Sequence, residues 1–427
     1  MGGEGLRAVS RESKLVIALV SGSEFVNHTY IVLLPPILGL LSGEFDASLG
    51  LLGLAVGARA AATAAFQLPF GYLSDRHDRL LGLGLSLGLG SLGALVTALA
   101  PSLPVLVAGQ VIVGVGVAGH HPSHFPILSE TVAEEYRGRV FSVRGFAGSL
   151  GFATPPVVAT AVLAMPGTTW RHVVGVLALL GGAYAVVALA LFRLFVDREV
   201  TLPDPTAIPD RDPGASLAGR VGAELRSIVD SPAVLALGAL TFVTAVYSSG
   251  FRTYVVVHLT EGYGLSLGLA NLTLTATFVG GALLMLGGGA LSDRFPAGTL
   301  LVAAYAAIAL LTALVASLAV PAVLAMGLAI ATGGFRAGSG PPRSKLVDRF
   351  ADSGALGQSF AVITVGMMLG GTVAPPLFGY LIETAGLRWA FYAMAAVMVA
   401  AVAFAVGILR TYDDAFSLPR PIGAQER

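Results

Sequence analysis

The side chains most able to do chemistry in this sequence lie inside long apolar runs. Glu24, Asn27 and His28 stand three and four residues apart, which places them on one face of a helix. Glu24 is the only carboxylate deep within any apolar run of the sequence. Because a charge at the centre of a bilayer costs roughly 2.5–3.5 kcal/mol on insertion scales, we expect this face to point into a polar interior. There Glu24, or His28 in its place, can take up and release a proton.

Positively charged groups outnumber that carboxylate. Arg59, Arg252 and Arg336 lie within other apolar runs, and His120 and His121 stand side by side in a further one. An anionic ligand bound by Arg252 and Arg336 would offset this excess of positive charge. The candidate ligand- and proton-binding residues are therefore Glu24, Asn27, His28, Arg59, His120, His121, Arg252 and Arg336.

Structural alternatives to these roles stay open. Arg144 lies only one turn inside its predicted span, and we expect its long side chain to reach the membrane surface. Glu24 can instead form an internal salt bridge with Arg59 and have no role in binding. One of the histidines around Pro122 is expected to bond a backbone carbonyl that this proline frees.

The composition indicates that the apolar runs are membrane-spanning helices. Of the 427 residues, 55% are hydrophobic and 12% are charged, with a mean hydropathy of +0.81, whereas a soluble domain has about 25% charged residues. The runs are about 20 residues long, the length of a helix that crosses a bilayer; a membrane barrel would show short alternating segments. The sequence has no cysteine, which excludes disulfides and thiolate metal sites.

Twelve spans are predicted, in two groups of six. The groups form bundles over 15–194 and 232–410, joined by a proline-rich charged linker over 195–231. A polar segment, 1–14, and a tail, 411–427, flank them, and no removable signal peptide is expected at the polar start. The predicted spans are 15–41, 50–73, 80–100, 104–128, 140–165, 171–194, 232–258, 267–291, 298–319, 321–345, 358–383 and 387–410. Proline pairs at 35–36, 155–156, 341–342 and 375–376 are predicted to split four of them.

The two groups resemble each other in sequence. Gly71-Tyr-Leu-Ser-Asp-Arg76 recurs as Gly289-Ala-Leu-Ser-Asp-Arg294, and His28-Thr-Tyr matches Arg252-Thr-Tyr in the same order along the chain. Parallel repeats of this kind are typical of transporters whose site lies between the repeats near mid-membrane. The repeat is therefore expected to bring His28 and Arg252 toward one cavity.

The doubled Gly-x-Leu-Ser-Asp-Arg segment resembles the signature loop of the major facilitator superfamily, which lies between the second and third helices and recurs between the eighth and ninth. The resemblance covers essentially the whole chain. It implies an all-α membrane protein with twelve transmembrane helices in two pseudo-symmetric six-helix bundles. A narrower resemblance, to the fosmidomycin-resistance-like branch, depends on Glu24-Phe-Val-Asn-His28, His121 and Arg137-Gly-Arg139. That branch typically has histidine first and aspartate last in the opening motif, whereas here the acid comes first.

The two signature loops are interpreted as a gate. Asp75 stands at the end of a helix, where it can pair with a basic group or helix end of the other half in one state and release it in the other. The alternative is a solvated turn that holds charges where the chain leaves the bilayer. The candidate gating residues are Asp75, Arg76, Arg79, Asp293 and Arg294.

The resemblance implies a secondary active transporter that moves a small organic solute by alternating access. The arginine excess favours an anion, protons are the expected coupling ion, and efflux by antiport is preferred to uptake of an organic acid by symport. A membrane receptor or scaffold with the same fold is the alternative outside transport. The sequence contains no ATP-binding loop, and we predict no enzymatic activity, metal site, cofactor or nucleic-acid partner. The expected state is a monomer in the lipid bilayer of the cell membrane.

The distribution of basic residues predicts the orientation. Of the 25 lysines and arginines, only Arg171 and Arg388 fall in predicted outer loops, four arginines fall within spans, and the others lie on the inner side. The positive-inside rule then places both ends of the chain and the linker in the cytoplasm.

Single-cysteine labelling tests this orientation, because the chain has no cysteine of its own. A membrane-impermeant maleimide applied to intact cells should label Thr168→Cys and should leave Ser216→Cys unlabelled until the cells are opened. Labelling of Ser216→Cys without labelling of Thr168→Cys would reverse the orientation.

Overall fold

A computed structural model describes residues 10–203, 232–350 and 356–412, which form an all-α protein. Eleven helices in this part of the chain are long and apolar enough to cross a membrane, and a bent pair at the start raises the number to twelve. The twelve are numbered here in chain order: α1 Arg11–Ile31 continued by Leu38–Phe45, α2 Leu49–Arg76, α3 Arg79–Ala98, α4 Leu103–Thr131, α5 Glu134–Leu163, α6 Trp170–Phe195, α7 Pro232–Val257, α8 Leu267–Arg294, α9 Ala297–Ser317, α10 Ala322–Gly338 continued by Gly340–Phe350, α11 Leu356–Ala385 and α12 Leu387–Tyr412. The predicted fold class is confirmed.

The helix bounds differ from the predicted spans mainly at α5. This helix begins at Glu134 rather than near 140, and two glutamates in its first turn face the positive end of the helix dipole. Of the predicted linker, 204–231 lies outside the described residues, as do 1–9 and the part of the tail beyond 412.

Two of the four proline pairs coincide with helix breaks, as predicted. A 3₁₀ turn over Pro35–Ile37 separates the two parts of α1, which bend by 40°. The pair at 341–342 opens the second part of α10, in the first turn, where proline costs no helical hydrogen bond.

The prediction of breaks at the other two pairs is wrong: 155–156 and 375–376 lie inside the continuous helices α5 and α11. The first proline of each pair deprives the carbonyl four residues earlier of its helical donor, and a hydroxyl group from a neighbouring helix lies within hydrogen-bond distance of that carbonyl. Thr29 donates to the Gly151 carbonyl at 3.2 Å, and Ser249 donates to the Gly371 carbonyl at 3.4 Å.

The two six-helix halves are closed against each other at one end, chiefly by α2 and α11. Glycines in α2 let the two backbones touch. A Cβ on Gly57 would lie 2.7 Å from the Thr372 carbonyl oxygen, and one on Gly53 would meet the Pro375 carbonyl oxygen and the Tyr254 hydroxyl. Any side chain at these positions would therefore hold the halves apart.

Polar contacts across the halves reinforce this closed end. The Glu383 carboxylate, at the end of α11, accepts a hydrogen bond from the backbone N–H of Gly50 at 2.5 Å. Gly50 lies in the first turn of α2, where unpaired N–H groups and the helix dipole favour an anion. Asn271 in α8 also donates to the Pro36 carbonyl at 3.1 Å. This is the end predicted to be extracellular, so with that orientation the arrangement is inward-facing.

Removal of the Glu383 carboxylate should weaken the outer closure. Ile31 lines the central cavity, so Ile31→Cys is reached from outside only when the outer end opens. We expect Glu383→Ala to raise the initial rate of impermeant maleimide labelling of Ile31→Cys in intact cells by about tenfold, the effect of one charge-assisted hydrogen bond. Thr384→Val is the matched control, because the Thr384 hydroxyl bonds only within its own helix, to Tyr380. Equal rates in both variants would show that Glu383 does not hold the outer end closed.

Candidate functional site

A cavity of about 420 Å³ lies between the two halves. The first half contributes His28 and Ile31 from α1, His121 from α4 and Phe152 from α5, and the second half supplies the rest of the wall. The cavity extends to Arg343 in the second part of α10, toward the predicted cytoplasmic end. It is therefore closed at the predicted outer end and extends toward the predicted inner end.

The wall from the second half is basic and rich in hydroxyl groups. Arg252 and Arg336 both line it, together with Arg343, which sequence reasoning had assigned only to the inner loops. Within the described part of the chain, none of these three arginines forms an ion pair with a carboxylate. No carboxylate of a described residue offsets their charge at the cavity. The hydroxyl-bearing residues of this wall are Thr241, Thr244, Tyr247, Ser248, Ser249, Tyr305 and Ser339.

Phe152 joins the two walls. Its ring stacks on the His28 ring at a centroid distance of 4.1 Å and on Phe278 of the other half at 5.6 Å. The Arg252 guanidinium carbon lies 5.9 Å from the Phe152 ring centroid, within the range of a cation–π contact. The structure thus brings His28 and Arg252 into one cavity, with an aromatic ring between them that sequence reasoning did not single out.

Behind His28, the buried carboxylate of Glu24 is surrounded by nitrogen atoms. Its side chain is 2% exposed, and the surrounding residues come from α1, α4 and α5. Glu24 Oε1 lies 3.6 Å from His28 Nε2, 3.8 Å from His121 Nε2 and 2.5 Å from Arg144 Nη1. Glu24 Oε2 lies 3.1 Å from His120 Nδ1 and 3.9 Å from His124 Nε2. These five residues and Glu24 are called the Glu24 cluster below.

The ion pair between Arg144 and Glu24 corrects two expectations. The Arg144 side chain turns to Glu24 in the interior instead of to the expected membrane surface. Because α5 begins at Glu134, Arg144 stands about 15 Å along the helix axis. Its guanidinium also lies over the Phe125 ring at 4.5 Å. Arg59, the partner of Glu24 in the structural alternative, is buried and forms no ion pair with any described residue. Arg59 does not line the cavity.

The structural role expected of one histidine falls to His124, with a different partner. His124 donates from Nδ1 to the His120 carbonyl at 2.8 Å, and not to the Ala118 carbonyl, which Pro122 deprives of its helical donor. Asn27 is buried beside the cluster without lining the cavity, and its side-chain nitrogen has no hydrogen-bond partner among the described residues.

The candidate gating residues lie at the open end, and in this conformation none pairs across the halves within the described chain. Asp75 and Arg76 are exposed at the end of α2, and Arg76 lies over the Tyr72 ring at 4.5 Å. Arg79 forms an ion pair with Glu130 inside the first half. In the second half, Asp293 pairs with Lys345 at 2.7 Å, whereas Arg294 is exposed.

Comparison with known proteins identifies the family. The sequence matches the model of the Major Facilitator Superfamily over residues 20–329 and again over 237–426. The chain belongs to the Major Facilitator Superfamily. It is therefore a multi-pass membrane transporter and not an enzyme, as predicted; the narrower resemblance to the fosmidomycin-resistance-like branch stays a prediction.

Individual relatives match over part of their length. The chain is 31% identical over 173 residues to the uncharacterized protein Rv2265 of Mycobacterium tuberculosis. This alignment covers 38% of this chain and 40% of that protein. It is 27% identical over 162 residues to the probable L-galactonate transporter of Escherichia coli. This alignment covers 38% of this chain and 33% of that protein. The fold is similar to that of a bacterial homologue of the human lysosomal transporter Spinster in an inward-facing and occupied conformation, with a TM-score of 0.77, 16% identity, and coverage of 97% of this chain and 100% of that chain.

Proposed function

We propose that this transporter moves a small organic anion together with protons, by alternating access in the cell membrane with both chain ends cytoplasmic. The observation that supports the proposal best is the set of arginines that line the cavity without an acidic partner. An anion there would accept charge-assisted hydrogen bonds from planar guanidinium groups.

The rest of the cavity suits an anion that also carries an apolar part. Its volume of about 420 Å³ falls within the range of small-molecule sites, which is about 300–1,000 Å³. Met367 and Met398 line it beside the hydroxyl groups and Phe152. The relative named as a probable L-galactonate transporter is consistent with an organic acid as solute, since galactonate is a carboxylate.

The Glu24 cluster is proposed to carry the proton. His28 and His121 connect Glu24 to the cavity, since both line it and both lie within 4 Å of Glu24 Oε1. His120 and His124 from α4 and Arg144 from α5 complete the charged and titratable groups that face the carboxylate. A proton bound at Glu24 or a histidine adds positive charge beside the cavity.

This arrangement favours symport over the antiport preferred from the sequence. Protonation removes a negative charge or adds a positive one next to the cavity, and therefore strengthens the binding of an anion. By thermodynamic linkage, the bound anion strengthens proton binding to the same degree. Proton and anion thus bind together, which is the coupling that a symporter needs, whereas an antiporter needs them to exclude each other.

Flux measurements in proteoliposomes test the proposal, after a thermal-shift screen of organic anions, cations and sugars has supplied a solute. An anion should accumulate on the side to which protons flow. Glu24→Gln should still exchange labelled for unlabelled solute but should not accumulate it, because no proton is coupled. Arg252→Lys should weaken binding through loss of the planar fork, while Arg388→Lys, at the predicted outer end, serves as the matched control.

Other outcomes have definite meanings. A cationic solute would contradict the anion proposal. Accumulation on the side from which protons leave would restore the antiport alternative. If Glu24→Gln still accumulates solute, Glu24 is a structural partner of Arg144.

We further propose that Asp75 is a latch that closes the inner end in the outward-facing state. Asp75 is exposed and has no ion-pair partner among the described residues, which fits an open inner end. Asp75→Asn should abolish most transport while leaving solute binding within a few-fold, because the variant can bind solute and fails to close behind it. Normal transport at matched expression would eliminate the latch.

A further inference from the structure

We infer that Glu24, His120 and His124 form a binding site for a divalent transition metal ion such as Zn²⁺ or Co²⁺. The inference goes beyond the proposed transport function and does not depend on the identity of the solute. It follows from the positions of three lone-pair-bearing atoms in the interior of the first half.

The three atoms have the spacing of metal ligands. Glu24 Oε2 lies 3.1 Å from His120 Nδ1 and 3.9 Å from His124 Nε2, and all three atoms are within 4.8 Å of one another. Tetrahedral zinc binds nitrogen and oxygen at about 2.0–2.2 Å, so its ligand atoms stand about 3.3 Å apart. Two histidines and one glutamate are also a donor set that zinc uses in proteins, with a further position left open.

The outer nitrogens of both histidines are already held. His124 donates from Nδ1 to the His120 carbonyl at 2.8 Å, which leaves the lone pair on Nε2. His120 Nε2 lies 2.9 Å from the Ser23 hydroxyl, whose oxygen also lies 2.8 Å from the Val20 carbonyl. Metal-binding histidines nearly always have such a partner for the second ring nitrogen, because it fixes the tautomer and the orientation of the ring.

The inner atoms lack partners. Among the described residues, Glu24 Oε2 and His120 Nδ1 are buried and have no hydrogen bond of acceptable geometry, although Glu24 and His120 are 1% and 0% exposed. Buried polar atoms are usually satisfied, and an exception requires a physical explanation. A cation between Oε2, Nδ1 and Nε2 would satisfy all three atoms at once.

Arg144 supplies part of that positive charge when no metal is bound. Its Nη1 atom lies 2.5 Å from Glu24 Oε1 and 3.3 Å from His124 Nε2, so it competes with a metal for the His124 lone pair. A metal ion next to the guanidinium would be repelled, and Arg144 therefore has to turn away as the metal enters. The arginine and the metal are alternative counter-charges for the same carboxylate.

The cavity provides a way in. His28 and His121 line it, and with Glu24 Oε1 they form a second group of three potential ligands within 4.8 Å of one another. The His121 side chain is 37% exposed, so a metal ion in the cavity meets this outer group before it reaches the buried one. In the inward-facing arrangement the ion would come from the cytoplasm.

Titration of the purified protein with Co²⁺, after purification on a tag without histidine, tests the site. Wild-type protein should show the visible absorption bands of four- or five-coordinate Co²⁺, and Zn²⁺ should remove them. Glu24→Gln and His124→Ala should each weaken Co²⁺ binding by at least about tenfold. His77→Ala, at the exposed end of α2, is the control for surface histidines and should bind like the wild type.

The competing role of Arg144 gives a change in the opposite direction. Arg144→Gln should bind Co²⁺ about tenfold more tightly than the wild type, because the competing cation is gone. The site is ruled out if wild-type protein gives no bands, if the bands persist in Glu24→Gln and His124→Ala, or if a monodisperse Arg144→Gln protein binds Co²⁺ more weakly. Absorption of the wild type alone decides the matter if the variants do not fold, and none of these outcomes depends on whether the chain carries anions.

Discussion

The burial of one carboxylate determines the interior of the first half. Glu24 is 1% exposed, and an ion so far from water is stable only if opposite charge and hydrogen bonds replace its hydration. The guanidinium of Arg144 from α5 meets that requirement at Oε1, and four imidazole rings from α1 and α4 surround the carboxylate, while Oε2 has no hydrogen bond among the described residues. Close approach of these helices depends on Gly148, since a Cβ there would lie 3.1 Å from Glu24 Cγ. The packing of these helices and the placement of the buried charges therefore depend on each other.

The second half carries charge that is opposite in kind to the buried carboxylate of the first. It places arginines at the cavity without a carboxylate to balance them, and surrounds them with hydroxyl groups that can accept as well as donate. The two repeats have the same order of helices but differently charged side chains at matching positions: His28 of the first corresponds to Arg252 of the second. Phe152 lies between His28 and Arg252 in the cavity wall, so a proton held in the Glu24 cluster would act on an anion near Arg252 chiefly through its electric field. This division permits coupling without requiring that both ligands occupy one site.

The sequence predicted the fold well because the length and composition of apolar runs identify membrane helices, and the duplicated motif adds independent support. It predicted the positions of His28 and Arg252 from the repeat. It misplaced Arg144 because the start of α5 is rich in charged residues, which are typical of a loop. Only the structure shows that Glu134 and Glu135 lie in the first helical turn, where the helix dipole favours them. It overlooked Phe152 and Glu383, since an aromatic residue in an apolar run and an acid at a helix end are common, and only their partners from distant helices make them special.

The glycine seam between α2 and α11 has an electrical consequence. The closely packed seam would form the insulating layer on the predicted outer side, while the cavity extends toward the predicted inner side, so most of the transmembrane voltage would fall across the seam. Reorientation of the halves moves the cavity charges from one side of that voltage drop to the other, at about 2.3 kcal/mol per charge and 100 mV. With the proposed orientation, the excess of arginine charge in an empty carrier would be drawn toward a negative cytoplasm, so the resting potential would favour the inward-facing form. A bound anion would offset only part of the charge that moves.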